Sequence, residues 1–172
     1  MDKLDQRTLL QGVRELTGWD QDLAEVIEKY GPPPLWEREQ GFQTLVNIIL
    51  EQQVSLASAH AAFNKLAANV EPLTPRNFLK LSDEELKKIG FSRQKTTYTR
   101  ALSYALLENS LDLHGLNTLD DEEARERLMK IKGIGPWTAD IYLLMALGRP
   151  DIWPKGDLAL EASIQQLKGL LQ

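Results

Sequence analysis

The chain has 172 residues, the length of one ordinary domain, and its 42% hydrophobic and 26% charged residues are the composition of a folded globular protein. No cysteine and only two histidines occur, which excludes disulfides, thiolate zinc sites and iron–sulfur clusters, and no apolar run approaches the roughly 20 residues of a membrane span. The net charge is −5, but residues 86–107 hold five basic and no acidic side chains, so a local basic surface can exist on an acidic protein.

In chain order, the sequence predicts helices joined by short loops. Apolar residues recur at spacings of three and four in six segments, and no segment keeps the strict alternation of a half-buried strand. These segments are LLQGVREL, DLAEVIEKY, FQTLVNIIL, LASAHAAFNKL, YTRALSYALL and ARERLMKI. The pattern predicts an all-α fold of nine or ten helices.

Local signals predict where several helices begin and end. Short polar side chains at an N-cap accept a hydrogen bond from the first turn of the helix that follows. Such starts are Ser55, Thr74 before Pro75, Ser82 with Glu85, and Asp120 with Glu123. Glycine commonly ends a helix. The predicted ends are Gly31, Gly90, Gly115 and Gly148.

Residues 128–147, LMKIKGIGPWTADIYLLMAL, predict a helix–hairpin–helix. The first helix is expected to end near Lys132, and Pro136 opens a second, apolar helix that runs to about Leu147. Between them, Gly133 and Gly135 allow a tight turn and a close approach to the backbone, with Ile134 anchored in the core. The amides that open the second helix are then free to bind an anion such as phosphate. Taken alone, the pattern is equally compatible with a turn that binds nothing.

Asp157 is the candidate functional carboxylate. It lies 22 residues after Gly135, in the segment WPKGD, directly before the helical stretch LALEASIQQL. This position predicts a helix N-cap, which is a common structural role for aspartate. The residue alone therefore leaves a structural cap and a functional carboxylate both open.

The combination of these motifs resembles one family. KIKGIGPWTAD followed by PKGD is similar to the helix–hairpin–helix, Gly/Pro-rich loop and aspartate of the HhH-GPD DNA glycosylase superfamily, which includes endonuclease III. Two further stretches, GFQTLVNIILEQQVSLASA and GFSRQKTTYTRALSYAL, also resemble it, and the chain is most similar to the 3-methyladenine DNA glycosylase II branch. The resemblance covers about residues 40–168. It implies one glycosylase domain with an active-site cleft between two helical subdomains, a central bundle of about 36–130 and a second formed by about 1–35 and 131–172.

The resemblance also implies an activity. A base-excision-repair enzyme of this kind flips an alkylated purine such as 3-methyladenine or 7-methylguanine out of duplex DNA and hydrolyses its N-glycosidic bond, leaving an abasic site. Asp157 would stabilise the positive charge that develops on the deoxyribose. Family members that also cut the strand carry a lysine where this chain has Trp137, so we expect a monofunctional hydrolase without lyase activity.

Further residues acquire roles from the same resemblance. Trp137 would form an aromatic wall for a cationic purine, and Trp153 and Tyr142 are weaker pocket candidates. Gln53 would fill the gap left by the flipped base. The other expected DNA contacts are Ser55, Arg93, Lys95, Lys132, Gly133, Ile134, Gly135 and Thr138. We expect a cytoplasmic monomer that binds damaged duplex DNA and needs no metal or other cofactor, with a monovalent cation at the hairpin carbonyls left open.

Three alternatives remain at this stage. A glycosylase for oxidised, deaminated or mismatched bases keeps the enzyme class. A non-catalytic helix–hairpin–helix module would only grip the DNA backbone, and a purely structural helical domain would bind nothing. Family members continue with another helical stretch beyond the helix that follows the aspartate, whereas this chain ends at Gln172. A fragment, a natural short form and a missing end are all compatible with that difference.

Overall fold

A computed structural model describes residues 3–170, and every regular element in that range is helical. The α-helices are α1 (Gln6–Trp19), α2 (Gln21–Tyr30), α3 (Phe42–Glu51), α4 (Leu56–Asn69), α5 (Pro75–Phe78), α6 (Asp83–Ile89), α7 (Arg93–Leu107), α8 (Asp121–Met129), α9 (Pro136–Met145) and α10 (Leu158–Leu167). A 3-10 helix spans Gly115–Thr118. The all-α fold is therefore confirmed, and none of these helices has the length and apolar character needed to cross a membrane.

The predicted helix starts are confirmed by their capping bonds. The list of side-chain caps includes Ser55 on α4, Thr74 on α5, Ser82 on α6 and Asp120 on α8. Ser82 and Glu85 form the predicted capping box, in which each side chain accepts from the other residue's backbone amide. These starts depend only on residues within one turn, which is why the sequence alone reveals them.

One predicted helix end is wrong. Gly115 begins the 3-10 helix instead of ending an α-helix, because α7 has already stopped at Leu107. There Asn109 takes a left-handed conformation at φ +56°, and the Ser110 amide donates to the Ala105 carbonyl at 2.9 Å. Asparagine tolerates this conformation better than most side chains, so it ends the helix as glycine often does. The hairpin helices are also shorter than predicted, since α8 ends at Met129 and α9 at Met145.

Helix α3 lies at the centre of the core. Its segment FQTLVNIIL carries a wide apolar face, and Gln43, Thr44 and Asn47 share the narrower polar face, which is the pattern of a helix packed against several neighbours. Leu45, Val46, Ile48 and Ile49 are completely buried. The helix packs against α4, α7 and α9, so its C-terminal end has a fixed position beside the hairpin that opens α9.

Helices α1, α2 and α10 lie at the periphery and contribute no buried residue. The Lys168 ammonium joins the chain ends, since it donates to Asp20 at 2.5 and 2.6 Å and to Asp22 at 2.7 Å. Helix α9 contributes to the same core cluster as α3 and α8. The division into two subdomains at the predicted boundaries stays a prediction.

Candidate active site

An open cleft of about 1170 Å³ lies where four pieces of the chain meet. Its walls are the end of α3 at residues 51–54, the start of α7, the hairpin at 133–138 and the loop at 155–158 that leads into α10. Gln53, Lys95, Trp137 and Asp157 all line it. Residues more than 100 positions apart in the sequence are thus brought to one surface.

Asp157 is held at the edge of this cleft by two hydrogen bonds. Its Oδ1 accepts from the Leu160 amide at 3.0 Å, so the predicted N-cap of α10 is confirmed. Its Oδ2 accepts from Trp137 Nε1, also at 3.0 Å. A carboxylate offers about four acceptor positions, so two bonds orient the group and leave others for a ligand or water. Asp157 is therefore both the structural cap of α10 and a carboxylate that borders the cleft.

Trp137 lines the cleft while its ring rests partly on the core. The sequence indicated an aromatic wall at this position, but it did not reveal that the indole edge bonds to Asp157, since the two residues are 20 positions apart. The side chain therefore contributes a wall and a hydrogen-bond donor at once.

Gly133 and Gly135 occupy their positions in the hairpin for different physical reasons. Gly133 has φ +94°, and a Cβ placed there would lie 2.0 Å from Cγ of Tyr98. The group that lies close to the Gly133 backbone is therefore the ring of Tyr98. Gly135 has no atom within 4 Å of such a Cβ. Gly135 is the N-cap of α9 and provides no side-chain cap, and Pro136 is the first residue of the helix. Its first amides are therefore open toward the cleft.

The side chains of Ile134 and Thr138, two of the expected DNA contacts, are buried beside the cleft. The predicted core anchoring of Ile134 is confirmed, and the DNA contacts stay predictions. Ile134 is 4% exposed and its amide donates to the Ile131 carbonyl at 3.0 Å, so it anchors the turn in the core. Thr138 is 2% exposed, and its hydroxyl accepts from Gln52 Nε2 at 2.9 Å. Both side chains are turned inward because the hairpin must pack on α3.

Gln52 is a structural residue of the site that the sequence did not indicate. Its Nε2 donates to the Gly133 carbonyl and to Thr138 Oγ1, each at 2.9 Å. One amide group thus joins the end of α3 to both sides of the hairpin turn. The partners lie 81 and 86 residues away, so no local pattern could have identified the bonds.

Gln53 projects at the cleft rim in a left-handed conformation, with φ +57°. This conformation costs a non-glycine residue roughly 1–2 kcal/mol, and the side chain is exposed. Ser55 follows at the surface as the N-cap of α4, accepting from the Ser58 amide. Strain at an exposed residue of a cleft rim is the kind of feature that accompanies binding sites.

Arg93 and Lys95 take different positions although the sequence predicted a phosphate contact for each. Arg93 is exposed outside the cleft, on the first turn of α7. Lys95 Nζ instead donates to the Leu50 carbonyl at 2.5 Å, because the last carbonyls of α3 need donors. Burial lowers the pKa of Lys95. Its ammonium therefore stabilises the end of α3 from the cleft wall, and the phosphate contact of Lys95 stays a prediction.

Tyr142 and Trp153 do not line the cleft, which corrects their prediction as pocket residues. Tyr142 is completely buried, its hydroxyl accepts from the Gly41 amide at 3.0 Å, and burial raises its pKa to about 12. Tyr142 follows Trp137 by five residues on α9, and each residue turns the helix by about 100°. The two side chains therefore point about 140° apart around the helix axis, so Tyr142 faces the core. Trp153 is 55% exposed in the loop before Pro154. Lys132 is exposed beside the hairpin, where a DNA contact stays a prediction.

Two buried carboxylates near the cleft were not anticipated. Glu51 accepts two bonds from the Arg38 guanidinium, at 2.9 and 3.1 Å. Asp140, 3% exposed, accepts from Arg125 Nε at 2.7 Å and faces the Lys155 amide at 3.4 Å. Within residues 3–170, no group of three or more histidine, aspartate or glutamate side chains could hold a metal ion.

Comparison with known proteins agrees with this geometry. The family described as "HhH-GPD superfamily base excision DNA repair protein" matches residues 46–172. The chain is 27% identical over 182 aligned residues to the putative DNA-3-methyladenine glycosylase YfjP of Bacillus subtilis, an alignment that covers 94% of this chain and 63% of YfjP.

Solved structures give the same family likeness. The 3-methyladenine DNA glycosylase Mag1 of Schizosaccharomyces pombe, solved in complex with abasic DNA, superposes with a TM-score of 0.87 at 25% identity, over 94% of this chain and 82% of Mag1. A DNA-3-methyladenine glycosidase of Bacillus halodurans gives a TM-score of 0.75 at 32% identity, over 92% and 74% of the two chains.

Proposed function

Because the chain belongs to the HhH-GPD superfamily of base excision DNA repair proteins, we propose that it is a monofunctional DNA glycosylase for alkylated purines. The reaction is hydrolysis of the N-glycosidic bond of a flipped base such as 3-methyladenine or 7-methylguanine, which leaves an abasic site. The relatives named as 3-methyladenine glycosylases support this substrate class. We further propose that the protein acts as a cytoplasmic monomer on duplex DNA.

The observation that carries the proposal is the setting of Asp157. Its carboxylate borders a large cleft, and the Leu160 amide and Trp137 indole fix its direction. As the bond between C1′ and the base breaks, its electron pair leaves with the base and positive charge grows on the sugar. A preoriented carboxylate stabilises that charge without reorganising. It can also orient the water that adds to C1′, with the water's proton passing to solvent.

The leaving group needs little help in this scheme. Alkylation at purine N3 or N7 makes the base a cation, so it departs without a general acid. Trp137 offers the cation an aromatic surface, an attraction of about 0.5–2 kcal/mol. It also stands where strand-cutting members of the family carry their lysine, so no Schiff base forms at that position.

The surroundings of the cleft suit duplex DNA. The open amides at the start of α9 and the exposed Lys132 support phosphate binding by their polarity and charge. Gln53 stands at the cleft rim, where its amide can enter the space left by a flipped nucleotide. Flipping costs a few kcal/mol of stacking and pairing, and a side chain that fills the gap offsets part of that cost.

The experiment that tests the proposal is release of 3-methyladenine and 7-methylguanine from methylated duplex DNA. The wild-type chain is compared with Asp157→Asn, since asparagine is an equally good N-cap and keeps the Leu160 bond. Asp120→Asn is the matched control, because Asp120 caps α8 by the same bond but lies outside the cleft.

We expect the wild type and Asp120→Asn to release both bases, and Asp157→Asn to bind DNA without releasing them. If the wild-type chain binds duplex DNA yet releases no base, the non-catalytic module is the better description. If Asp157→Asn releases bases at the wild-type rate, the carboxylate is only a helix cap.

A further inference from the structure

We propose that Asp140 is a positioning residue for this reaction: with Arg125, it fixes the loop that presents Asp157 to the cleft. The inference rests on the proposed glycosylase function for its catalytic consequence. Its structural part, the anchoring of the loop by a partly buried ion pair, stands on contacts within the protein.

A series of contacts joins α8 to the loop at 155–158, which carries Asp157. Arg125 on α8 donates from Nε to Asp140 Oδ1 at 2.7 Å, and from Nη1 to Glu122 at 2.6 Å. The other oxygen of Asp140 accepts the amide of Lys155 at 3.4 Å. Lys155 precedes Asp157 by two residues, so the ion pair reaches the loop that carries the carboxylate.

Helix α9 therefore holds this loop at two points. Trp137 and Asp140 are three residues apart on α9, which places them on the same helix face. Trp137 holds Asp157 by its side chain, and Asp140 holds Lys155 by its backbone. Between these points lies Gly156, at φ +79° and with open space around it. Within the loop the Asp157 amide donates to the Pro154 carbonyl at 3.2 Å, and the two anchors fix this turn against α9.

The cost of burying Asp140 supports a role beyond packing. The Asp140 side chain is 4% exposed and that of Arg125 is 22% exposed. Taking such charges out of water is expensive, and apolar residues of similar volume often stabilise a fold equally well. An apolar side chain at 140 would leave the Lys155 amide without this acceptor.

The test compares Asp140→Asn, Arg125→Gln and the wild type under single-turnover conditions on methylated duplex DNA. Asparagine has the same shape but removes the charge, and Arg125→Gln loosens Asp140 without altering α9. Asp121→Asn is the matched control: Asp121 also lies on α8 and pairs with a buried arginine, Arg149, at 3.4 Å. Arg149 in turn donates to the carbonyls of Leu116 and Leu119, which lie outside the loop.

Two sets of measurements are made on each protein at a temperature where circular dichroism shows it to be folded. One is the rate constant of base release, together with the Kd for duplex DNA that contains an abasic site. The other is hydrogen exchange of the backbone amides of residues 155–158 in the free protein. The second measurement needs no activity, and Arg125→Gln replaces Asp140→Asn if the latter fails to fold.

We expect Asp140→Asn to lower the rate constant by roughly 10- to 100-fold, since small misplacement of a reacting group costs that much, while Kd stays near the wild-type value. Exchange of the loop amides should speed up in Asp140→Asn and Arg125→Gln and stay unchanged in Asp121→Asn. Unchanged loop exchange in both variants overturns the anchoring. Faster exchange with an unchanged rate constant overturns the catalytic part. A wild-type chain without base release contradicts the proposed function and so also the catalytic part, but exchange still decides the anchoring.

Discussion

Trp137 Nε1 donates a hydrogen bond to Asp157 Oδ2 at 3.0 Å, which joins the first turn of α9 to the N-cap of α10. The bond makes one aspartate serve two purposes. Its Oδ1 satisfies an amide that the helix start would otherwise leave open, and its Oδ2 is turned toward an aromatic wall of the cleft. The direction of the carboxylate thus depends on the hairpin as well as on its own loop.

The first prediction concerns this bond. Trp137→Phe keeps an aromatic face and removes the indole donor. A hydrogen bond to a charged group contributes about 1.5–3 kcal/mol, so we expect the single-turnover rate of base release to fall about 10- to 100-fold with little change in DNA affinity. Trp153→Phe is the control, because Trp153 is exposed outside the cleft. Equal rates for Trp137→Phe and the wild type would show that the bond does not orient Asp157.

The second prediction separates the hairpin glycines. Gly133→Ala forces a side chain into a left-handed conformation and against the Tyr98 ring, so we expect a loss of about 2–5 kcal/mol in the free energy of unfolding. Gly135→Ala meets open space at φ −93° and should fold almost normally. Its methyl group would stand at the open helix start and weaken duplex binding. Urea denaturation and DNA titration measure the two effects. Similar losses of stability in both variants would contradict the conclusion that only Gly133 is required by a close contact.

The third prediction concerns the strain at Gln53. Gln53→Gly relieves the left-handed conformation at φ +57°, so the free energy of unfolding should stay unchanged or rise by up to about 1 kcal/mol. The same change removes the side chain proposed to fill the gap beside a flipped base, so base release should slow. Gln53→Asn, which tolerates the conformation and keeps an amide, should retain more activity. A glycine variant that is less stable yet fully active would refute both parts.

The fourth prediction is a pH dependence of the contact between α10 and α2. The Lys168 bond lowers the pKa of Asp20 from its ordinary value of 3.8, and the Asp20 bond raises the pKa of Lys168 from 10.5. The aspartate's contribution is present above its ordinary pKa and is lost as the pH falls through the lowered value. The lysine's contribution is present below its ordinary pKa and is lost as the pH rises through the raised value.

The wild type should therefore exceed Lys168→Gln in urea midpoint across the neutral range. The difference should disappear in strong acid and strong alkali, and it should be small because the paired side chains are about one third exposed. Urea midpoints of both proteins over the full pH range provide the measurement. A difference that is constant with pH would mean that the contact stabilises by packing alone.

The sequence by itself determined the features that depend on neighbours within one or two turns. These are the helical composition of the described chain, the caps at Ser82 and Asp157, and the hairpin with its open helix start at Gly135. An N-cap needs only a side-chain oxygen and the amide three residues later, so its geometry is encoded locally. The motifs around Asp157 were also sufficient to indicate the family.

Only the tertiary structure decided what each of these local features touches. Trp137 meets Asp157 across 20 residues, and Gln52 meets Thr138 across 86. Gly133 is required by a ring on α7 rather than by its own turn alone, and Tyr142 faces the core instead of the cleft. Such pairings depend on how the buried α3 packs against α7 and α9. Packing is a property of all these helices together, so the sequence of any one segment does not specify its partners.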